Sequence, residues 1–384
     1  MPSASLRLAV VGAGAAGLAA ARELRREGHA PVVFERAAAV GGPGSTRPRR
    51  RRTDPLGAAA THSSLYASLR TNLPREVMGF LDFPFVASAA TSSADPRRFP
   101  GHEEVLRYLE AFARRFDLLS LIRFETEVLR IRREPGVGWA VASKKLGEKG
   151  SGEEEVYDAV VVCNGHYTEP RVATIPGVDA WPGKQMHSHN YREPEPFLDQ
   201  IVIIIGASAS AVDISRDIAS VAKEVHIADR SAPASTNQKQ PGYNLWLHSM
   251  LQIDRTQEDG SVVFRDGSSV KADVIMHCTG YLYDFPFLGD DSTITVDDNR
   301  VDPLYKHVFP AEVAPQLSFI GLPWKFEYDD WLAEQCSYPP IEEWRKLMYA
   351  ASTKNKAARP ESYRDEWDDD HLVVEASEDF KKYL

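Results

Sequence analysis

The chain has 384 residues, of which 43% are hydrophobic and 26% are charged, and its formal net charge at pH 7 is −10. This composition is ordinary for a globular protein of two or three domains, and the acidic balance disfavours nucleic acid as a partner. No apolar run approaches the roughly 20 residues needed to cross a bilayer, and no N-terminal leader is visible. The sequence therefore predicts a cytoplasmic protein without a membrane partner.

The stretch from residue 6 to residue 36 has the pattern of a β-α-β unit. Apolar runs and helix formers predict a strand at residues 8–11, a helix at 15–27 and a second strand at 31–34. The first turn follows a G-x-G-x-x-G spacing and consists of Gly12, Ala13, Gly14, Ala15, Ala16 and Gly17.

Each glycine of this turn has a mechanical reason. Gly12 permits the tight turn, Gly14 lets the backbone approach a pyrophosphate, and Gly17 lets the helix pack closely on the strand. Phosphates would then bind at the helix N-terminus, where free N–H groups and the helix dipole favour anions. Glu35, at the end of the second strand, can accept hydrogen bonds from ribose hydroxyls. The full context predicts a dinucleotide site rather than a glycine-rich turn without a ligand.

The middle of the chain predicts a mixture of loops, one helix and several strands. Five arginines between Arg47 and Arg52 predict a solvated loop, with nuclear import or phosphate contact as alternatives. Residues 103–116 have the spacing of an amphipathic helix. Residues 122–131 and 156–163 each predict one strand, with a hairpin tip at 144–155.

Residues 200–228 repeat the opening theme with a strand at 201–205, a helix at 209–222 and a strand at 224–228. The turn has the spacing G-x-S-x-x-A and consists of Gly206, Ala207, Ser208, Ala209, Ser210 and Ala211. Ser210 stands where a nucleophile elbow requires glycine, so a hydrolase is not indicated. Arg230 offers a cation for a 2′-phosphate and predicts NADPH, whereas Asp229 would favour NADH.

Cysteines and histidines give no sign of thiol or metal chemistry. Cys163, Cys278 and Cys336 are far apart without a C-x-x-C pair, which counts against a disulfide oxidoreductase and a zinc ribbon and suits a reducing compartment. Cys163 and Cys278 each end an apolar run and are predicted to be packing residues. His187 and His189 lack further ligands at a suitable spacing, so no metal site is predicted.

Three further motifs carry a resemblance to a known family. The pattern W-x-G-x-x-x-H-x-x-x-Y from Trp181 to Tyr191 is similar to the F-x-G-x-x-x-H-x-x-x-Y pattern of the flavin-containing monooxygenases, with Trp in place of Phe. The run from His277 to Tyr281 resembles the T-G-Y element of that family. Residues 69–74, L-R-T-N-L-P, resemble a segment whose Asn lies beside the flavin. The likeness is to the plant glucosinolate S-oxygenase-like branch and covers most of the chain.

The resemblance implies an α/β fold of two Rossmann-like doubly wound domains, the second inserted in the first. An FAD-binding domain would comprise residues 1–165 and 278–384, the latter with a C-terminal tail, and an NADPH-binding domain would comprise residues 166–277. The predicted cofactor-binding set contains the residues of both glycine turns together with Glu35, Arg36, Asn72, Arg230 and Thr279.

The resemblance also implies an activity. NADPH would reduce the flavin, and the reduced flavin would use O₂ to oxygenate a soft heteroatom, most simply a thioether sulfur of a methylthioalkyl glucosinolate-like substrate. An amine nitrogen is the alternative, while Tyr191 disfavours Baeyer–Villiger chemistry. Asn72 is the predicted catalytic residue at the flavin edge. Alternatively, Asn72 is only a turn residue before Pro74. Oligomeric state is left open.

Two departures from the family pattern bear on activity. Pro43 and Gly44 stand where relatives usually have Thr-Trp, so a flavin-flanking Trp is missing. After Lys325 the sequence continues at residues 326–331 with a segment typical of a much later part of the family, which predicts an internal deletion. The deleted part would cover the flavin side of the fold. The alternative function is therefore a catalytically impaired nucleotide-binding form.

Overall fold

The structure is a computed structural model that describes residues 4–41, 64–87, 93–229, 237–239, 244–248, 253–289, 294–321 and 326–384. The arginine run at 47–52, residues 43–44, Arg230 and Lys325 lie outside the described residues. The described helices are α1 (Ala15–Arg26), α2 (Arg75–Met78), α3 (His102–Arg115), α4 (Ala209–Ala219), α5 (Phe326–Gln335), α6 (Glu343–Ala358) and α7 (Asp370–Phe380). None of them is long and apolar enough to span a bilayer.

The described strands are β1 (Arg7–Val11), β2 (Ala30–Phe34), β3 (Ile122–Arg123), β4 (Thr126–Glu134), β5 (Gly138–Lys145), β6 (Glu153–Tyr157), β7 (Ala159–Val162), β8 (Glu169–Pro170), β9 (Lys184–His187), β10 (Ile201–Ile205), β11 (Glu224–Ala228), β12 (Asn237–Lys239), β13 (Leu245–His248), β14 (Ile253–Thr256), β15 (Ser261–Phe264), β16 (Ser269–Lys271), β17 (Val274–His277), β18 (Tyr281–Leu282), β19 (Thr295–Asp297), β20 (Arg300–Asp302) and β21 (Leu317–Phe319). The predicted helices at 15–27 and 103–116 and the strands at 201–205 and 224–228 are thereby confirmed.

A parallel sheet in the order β21-β7-β1-β2-β3 forms the core of a first unit. Helices α1 and α3 cover one face, where Leu18 and Phe112 are fully buried. The other face packs against the antiparallel meander β4-β5-β6 through Phe34 and Tyr157. Coverage on both faces explains why β1 and β7 are almost continuously apolar.

A second sheet has the order β12-β13-β11-β10-β17-β9 and is parallel except at the β12 edge. Helix α4 covers one face with Ile214 and Ile218, and the meander β14-β15-β16 covers the other with Val262 and Phe264. All its strands lie between β7 and β21 in the chain. The structure is therefore two doubly wound sheets, the second inserted in the first, which confirms the predicted fold class.

Two runs that each predict one strand are divided between two sheets. Residues 122–131 separate into β3 and β4, because Glu125 has φ 55° and turns the chain after the last parallel strand. Residues 156–163 separate into the end of β6 and β7. Asp158 lies at this break and accepts a hydrogen bond from the Arg7 N–H at 2.7 Å. Apolar pattern alone does not reveal such a change of sheet.

Two chain segments connect the sheets, and they pair with each other. Strands β8 and β18 form a short antiparallel ladder in which Pro170 lies opposite Tyr281. Gly165 and Gly280, which precede these strands, have φ 74° and φ 80°. Both passages between the two units therefore lie side by side.

The C-terminal helices pack against the first unit. Trp344 and Phe380 form a small core with Val77 of α2. The buried guanidinium of Arg98 donates to both carboxylate oxygens of Asp369 at 2.6 and 2.9 Å. The C-terminal segment is therefore part of the folded body.

Candidate active site

The loop between β1 and α1 has the geometry of a phosphate-binding turn. Gly12 has φ 104°, and its N–H donates to the Phe34 carbonyl at 2.8 Å. A Cβ at Gly17 would lie 1.8 Å from the carbonyl oxygen of Gly12, whereas a Cβ at Gly14 would face open space. No side chain caps the N-terminus of α1 among the described residues. This open, uncapped helix end fits the pyrophosphate of a dinucleotide.

Glu35 is buried beside this loop and is held by backbone N–H groups. Its two carboxylate oxygens accept from Ala13 and Ala37, each at 2.7 Å. Burial raises the pKa of Glu35, and these N–H donors oppose the shift. Because a carboxylate has about four acceptor positions, these donors leave Glu35 room to accept from a ribose hydroxyl. Arg36 is partly exposed, with its Nε 3.4 Å from Glu127 Oε1.

The second loop repeats the geometry of the first. Gly206 has φ 107°, and its N–H donates to the Ala228 carbonyl at 3.0 Å. A Cβ at Gly206 would lie 2.5 Å from the Cys278 carbonyl oxygen, as a Cβ at Gly12 would from that of Cys163. The two loops are therefore equivalent, and the sequence gives no sign that these two cysteine carbonyls shape them.

Helix α4 begins at the second loop with small residues at its first turn. Ser208 is the N-cap, is exposed and makes no capping hydrogen bond, so the helix end is open. Ala207, Ala209 and Ser210 are at most partly buried, whereas Ala211 is fully buried at the position equivalent to Gly17. This end therefore also fits a pyrophosphate.

The motif from Trp181 to Tyr191 is structural in this protein. The Trp181 ring would lie 2.1 Å from a Cβ at Gly183, so only glycine fits below the indole. His187 is fully buried; its Nδ1 accepts the His189 N–H at 3.0 Å. The other ring nitrogen, Nε2, therefore carries the proton and donates to the Gly280 carbonyl at 3.1 Å. Burial lowers the pKa of His187 to about 4, so the ring is neutral at pH 7.

The side chains of Tyr191 and Thr279 also make internal hydrogen bonds rather than facing a ligand site. The Tyr191 hydroxyl is buried and donates to Asp217 Oδ2 of α4 at 2.6 Å. The Thr279 hydroxyl donates to the carbonyl of Arg171 in the segment after β8. Tyr191 therefore acts on packing, and its side chain does not reach a surface that a substrate could contact.

The structure does not bring Asn72 into contact with either phosphate-binding loop. Asn72 is exposed, and within the described part of the chain it makes no hydrogen bond to those loops. Its neighbour Thr71 is fixed, because its N–H donates to the Pro100 carbonyl at 2.9 Å and its carbonyl accepts from Arg364 Nε at 2.9 Å. Arg364 was not predicted, since nothing distinguishes it from other charged residues of the acidic tail.

A cavity of about 400 Å³ opens between Leu69 and the start of α3. Its charged side chains pair with one another: Asp95 binds Arg97, and Arg107 binds Glu103 and Glu104. Its lining includes no residue of the two phosphate-binding loops. The cavity is therefore separate from the predicted cofactor sites.

The chain passes the first loop again just before the predicted deletion. After β21, the Ile320 N–H donates to the Val162 carbonyl at 2.9 Å. A Cβ at Gly321 would lie 3.4 Å from the Cβ of Ala16. The point at which relatives are predicted to have extra residues therefore adjoins the first phosphate-binding loop.

The structure has two doubly wound sheets, the second inserted in the first. In each of them an open helix N-terminus follows a tight glycine turn. This arrangement defines a protein that binds two dinucleotides. The family model described as flavin-binding monooxygenase-like matches residues 5–252 and 248–325, and the chain belongs to this family. It is a flavin-dependent monooxygenase with FAD and NADPH as cofactors, and the predicted family, enzyme class and cofactors are confirmed.

Curated relatives and a solved structure match over the whole chain. The chain is 50% identical to "Flavin-containing monooxygenase FMO GS-OX-like 2" of Arabidopsis thaliana, covering 100% of this chain and 96% of the relative. It is 51% identical to "FMO GS-OX-like 4" of the same plant, covering 100% and 98%. The structure of S-allyl-L-cysteine S-oxygenase from Allium sativum matches with a TM-score of 0.94 and 54% identity, covering 100% of both chains.

The comparisons also bear on the predicted deletion. The alignment with the GS-OX-like 2 relative spans 452 positions, so about 68 of them have no residue in this chain of 384 residues. The family model ends at residue 325, where the sequence predicts the missing segment. The location of these missing positions after Lys325 remains a prediction.

Proposed function

We propose that this monooxygenase oxygenates a thioether sulfur to a sulfoxide, with NADPH as the reductant and O₂ as the oxygen source. The observation that carries the proposal is the 54% identity to an S-oxygenase over the whole chain, together with two intact phosphate-binding loops. FAD supplies the hydride acceptance and O₂ activation that protein side chains lack. The protein supplies the two binding sites and their relative orientation.

In this proposal the cofactors divide between the two units. Residues 1–165 and 278–384 hold FAD, with Gly12 to Gly17 at the pyrophosphate and Glu35 at the ribose. Residues 166–277 hold NADPH, with the α4 N-terminus at its pyrophosphate and Arg230 at the 2′-phosphate. Asn72 lies at the flavin edge, and its exposed position leaves the amide available for that contact.

The proposed substrates are small thioethers. Two observations support different molecules: the Allium sativum relative is an S-allyl-L-cysteine S-oxygenase, and the resemblance to the plant glucosinolate S-oxygenase-like branch implies methylthioalkyl glucosinolates. An amine nitrogen is the remaining alternative, because it is also a soft nucleophile. Among the described residues that line the cavity near Leu69, Arg97 and Arg107 are each paired with a carboxylate, so these arginines give little reason to favour an anionic substrate there.

The first test is the visible spectrum of the purified protein, followed by turnover. We expect about one FAD per chain and NADPH oxidation that yields sulfoxide from S-allyl-L-cysteine or a methylthioalkyl glucosinolate. A tertiary amine and NADH are the matched comparisons for substrate and reductant. Faster N-oxide formation would reject the thioether proposal, and equal or better kcat/KM with NADH would reject the role of Arg230.

A second candidate function is a nucleotide-binding form with little catalysis. It is favoured by the roughly 68 alignment positions that have no residue in this chain, and by the location of Gly321, where an added Cβ would lie 3.4 Å from the Cβ of Ala16 in the first phosphate-binding loop. Loss of covering residues would expose apolar surface and admit water to the flavin. A protein that binds NADPH but stays colourless after incubation with FAD would favour this candidate over the first.

We also propose that the protein resides in the cytoplasm. Cys163 and Cys278 are buried, Cys336 is exposed, and none of the three forms a disulfide. Burial raises the pKa of the Cys163 and Cys278 thiols to about 12, so they are inert packing groups. Imaging of the chain fused to a fluorescent protein in plant cells would test this placement.

A further inference from the structure

One side chain of the C-terminal segment touches both the α4 helix and the Asn72 loop. The guanidinium of Arg364 donates to both carboxylate oxygens of Asp213 at 3.0 and 2.6 Å. Its Nε donates to the Thr71 carbonyl at 2.9 Å. The side chains of Arg364 and Asp213 are only 16% and 15% exposed, so water screens this pair weakly.

The two partners of Arg364 lie in segments that are proposed to serve different cofactors. Asp213 lies on α4, within two turns of the helix end at Ser208. Thr71 directly precedes Asn72. Arg364 therefore joins the helix that would carry the NADPH pyrophosphate to the residue proposed for the flavin edge, although it belongs to neither cofactor loop.

Other contacts also cross this junction, because the Tyr66 hydroxyl, in the stretch that precedes Thr71, donates to Asp213 Oδ2 at 3.5 Å. Ser68 donates to Asp217 of α4 at 2.7 Å, and Arg216 of α4 donates to the Pro360 carbonyl at 2.7 Å. Each of these contacts connects α4 to one neighbouring segment. Of the residues that the structure describes, Arg364 is the one whose hydrogen bonds reach both α4 and Thr71.

We propose that Arg364 is a positioning residue for hydride transfer from NADPH to the flavin, because it fixes α4 relative to the Asn72 loop. This inference rests on the proposed division of the cofactors. Hydride transfer requires close and aligned donor and acceptor atoms, and an error of about 1 Å can reduce a rate by about 10²-fold. Lysine cannot replace Arg364, since it lacks the planar fork that holds Asp213 while Nε holds Thr71.

The test compares Arg364→Gln, Arg364→Lys and Asp213→Asn with a matched control, Arg359→Gln. Arg359 also pairs with an aspartate, Asp368, and its side chain bonds to Asn355 of α6, so the partners of Arg359 that the structure describes belong to the C-terminal segment. Stopped-flow absorbance gives the rate of flavin reduction at saturating NADPH without any thioether. Reduction of the same flavin by light and EDTA reports on the flavin site alone.

We expect Arg364→Gln and Arg364→Lys to slow reduction by NADPH about tenfold or more, with FAD content and photoreduction unchanged. Asp213→Asn should act in the same direction and keeps the test available if an Arg364 variant fails to fold. The double variant with Arg364→Gln and Asp213→Asn should reduce the flavin about as slowly as either single variant, because both substitutions remove the same contact. The control should stay within about twofold of the wild type.

Hydrogen exchange provides a readout that requires no turnover. Arg364→Gln should speed amide exchange both in α4 and at residues 71–73, and Arg359→Gln should change neither. Unchanged exchange, full rescue by lysine, or equal slowing of photoreduction would overturn the positioning role. A wild-type protein that NADPH reduces but that forms no sulfoxide would instead refute the proposed substrate, because the reductive step is measured separately.

Discussion

Gly206→Ala is the sharpest test of the second phosphate-binding loop. The substitution adds one methyl group to a residue with φ 107°, a backbone conformation that residues other than glycine rarely adopt. Strain of this kind costs roughly 1–3 kcal/mol. The added Cβ would also lie 2.5 Å from the carbonyl oxygen of Cys278, which is backbone and cannot rotate away.

The steric part of the perturbation can be expressed as a displacement. An ordinary contact begins near 3.4 Å, so the loop must shift by roughly 0.9 Å to accept the methyl group. The shift falls on the amides at the start of α4 that are proposed to hold the NADPH pyrophosphate. We therefore expect NADPH to bind about 10- to 100-fold more weakly, at about 1.4 kcal/mol per tenfold, while FAD content stays unchanged.

Gly267→Ala is a suitable control, because Gly267 has φ 84° in the β15–β16 turn but its Cβ would meet no heavy atom within 4 Å. It shares the backbone strain without the collision. Flavin reduction measured against NADPH concentration gives the affinity and the limiting rate for both variants. Wild-type affinity in Gly206→Ala, or an equal loss in both variants, would refute the role assigned to this loop.

Three further predictions follow from individual side chains. Asn72→Ala should keep bound FAD but divert NADPH oxidation toward H₂O₂ in a peroxidase-coupled assay, and unchanged coupling would remove Asn72 from the site. Tyr191→Phe should lower the free energy of unfolding by about 1.5–3 kcal/mol, because a buried hydrogen bond to Asp217 is lost. It should not convert the enzyme to ketone oxidation, and ester products from a ketone would contradict the structural reading. Arg123 holds the pKa of Glu155 down to about 2, so this pair should stabilise the fold above a pH of about 4 and lose that effect as the pH falls toward 2. Glu155→Gln should remove this dependence from Tm, and parallel pH profiles of the two proteins would exclude the pair as its source.

Local pattern was sufficient to predict the two β-α-β units. The glycine spacing, the apolar strands and the helix formers all act over short stretches, and α1, β10 and β11 lie where the sequence predicts them. The inserted order of the two sheets followed from resemblance and is now visible in the strand pairing. By contrast, the turns at Glu125 and Asp158 are bonded to Ala37 and Arg7, which are distant in the chain, so the apolar period alone did not separate the strands on either side of each turn.

The candidate site was less accessible to sequence reasoning. The carbonyls of Cys163 and Cys278 close against the loop glycines, but backbone groups leave no mark on residue type. The Arg364 contacts with Asp213 and Thr71 join residues far apart in sequence, and no local motif indicates such a pairing. The roles of Asn72 and Arg230 remain predictions.

The ladder of β8 and β18 restricts how the two units can move. Both covalent passages between the sheets run through this ladder, with Gly165 and Gly280 ahead of its strands. A rigid rotation of one sheet against the other must therefore be absorbed at a single place, about an axis near Pro170 and Tyr281, rather than at two separated joints. Contacts remote from the ladder, such as those of Arg364 with Asp213 of α4, therefore resist any rotation of one unit against the other.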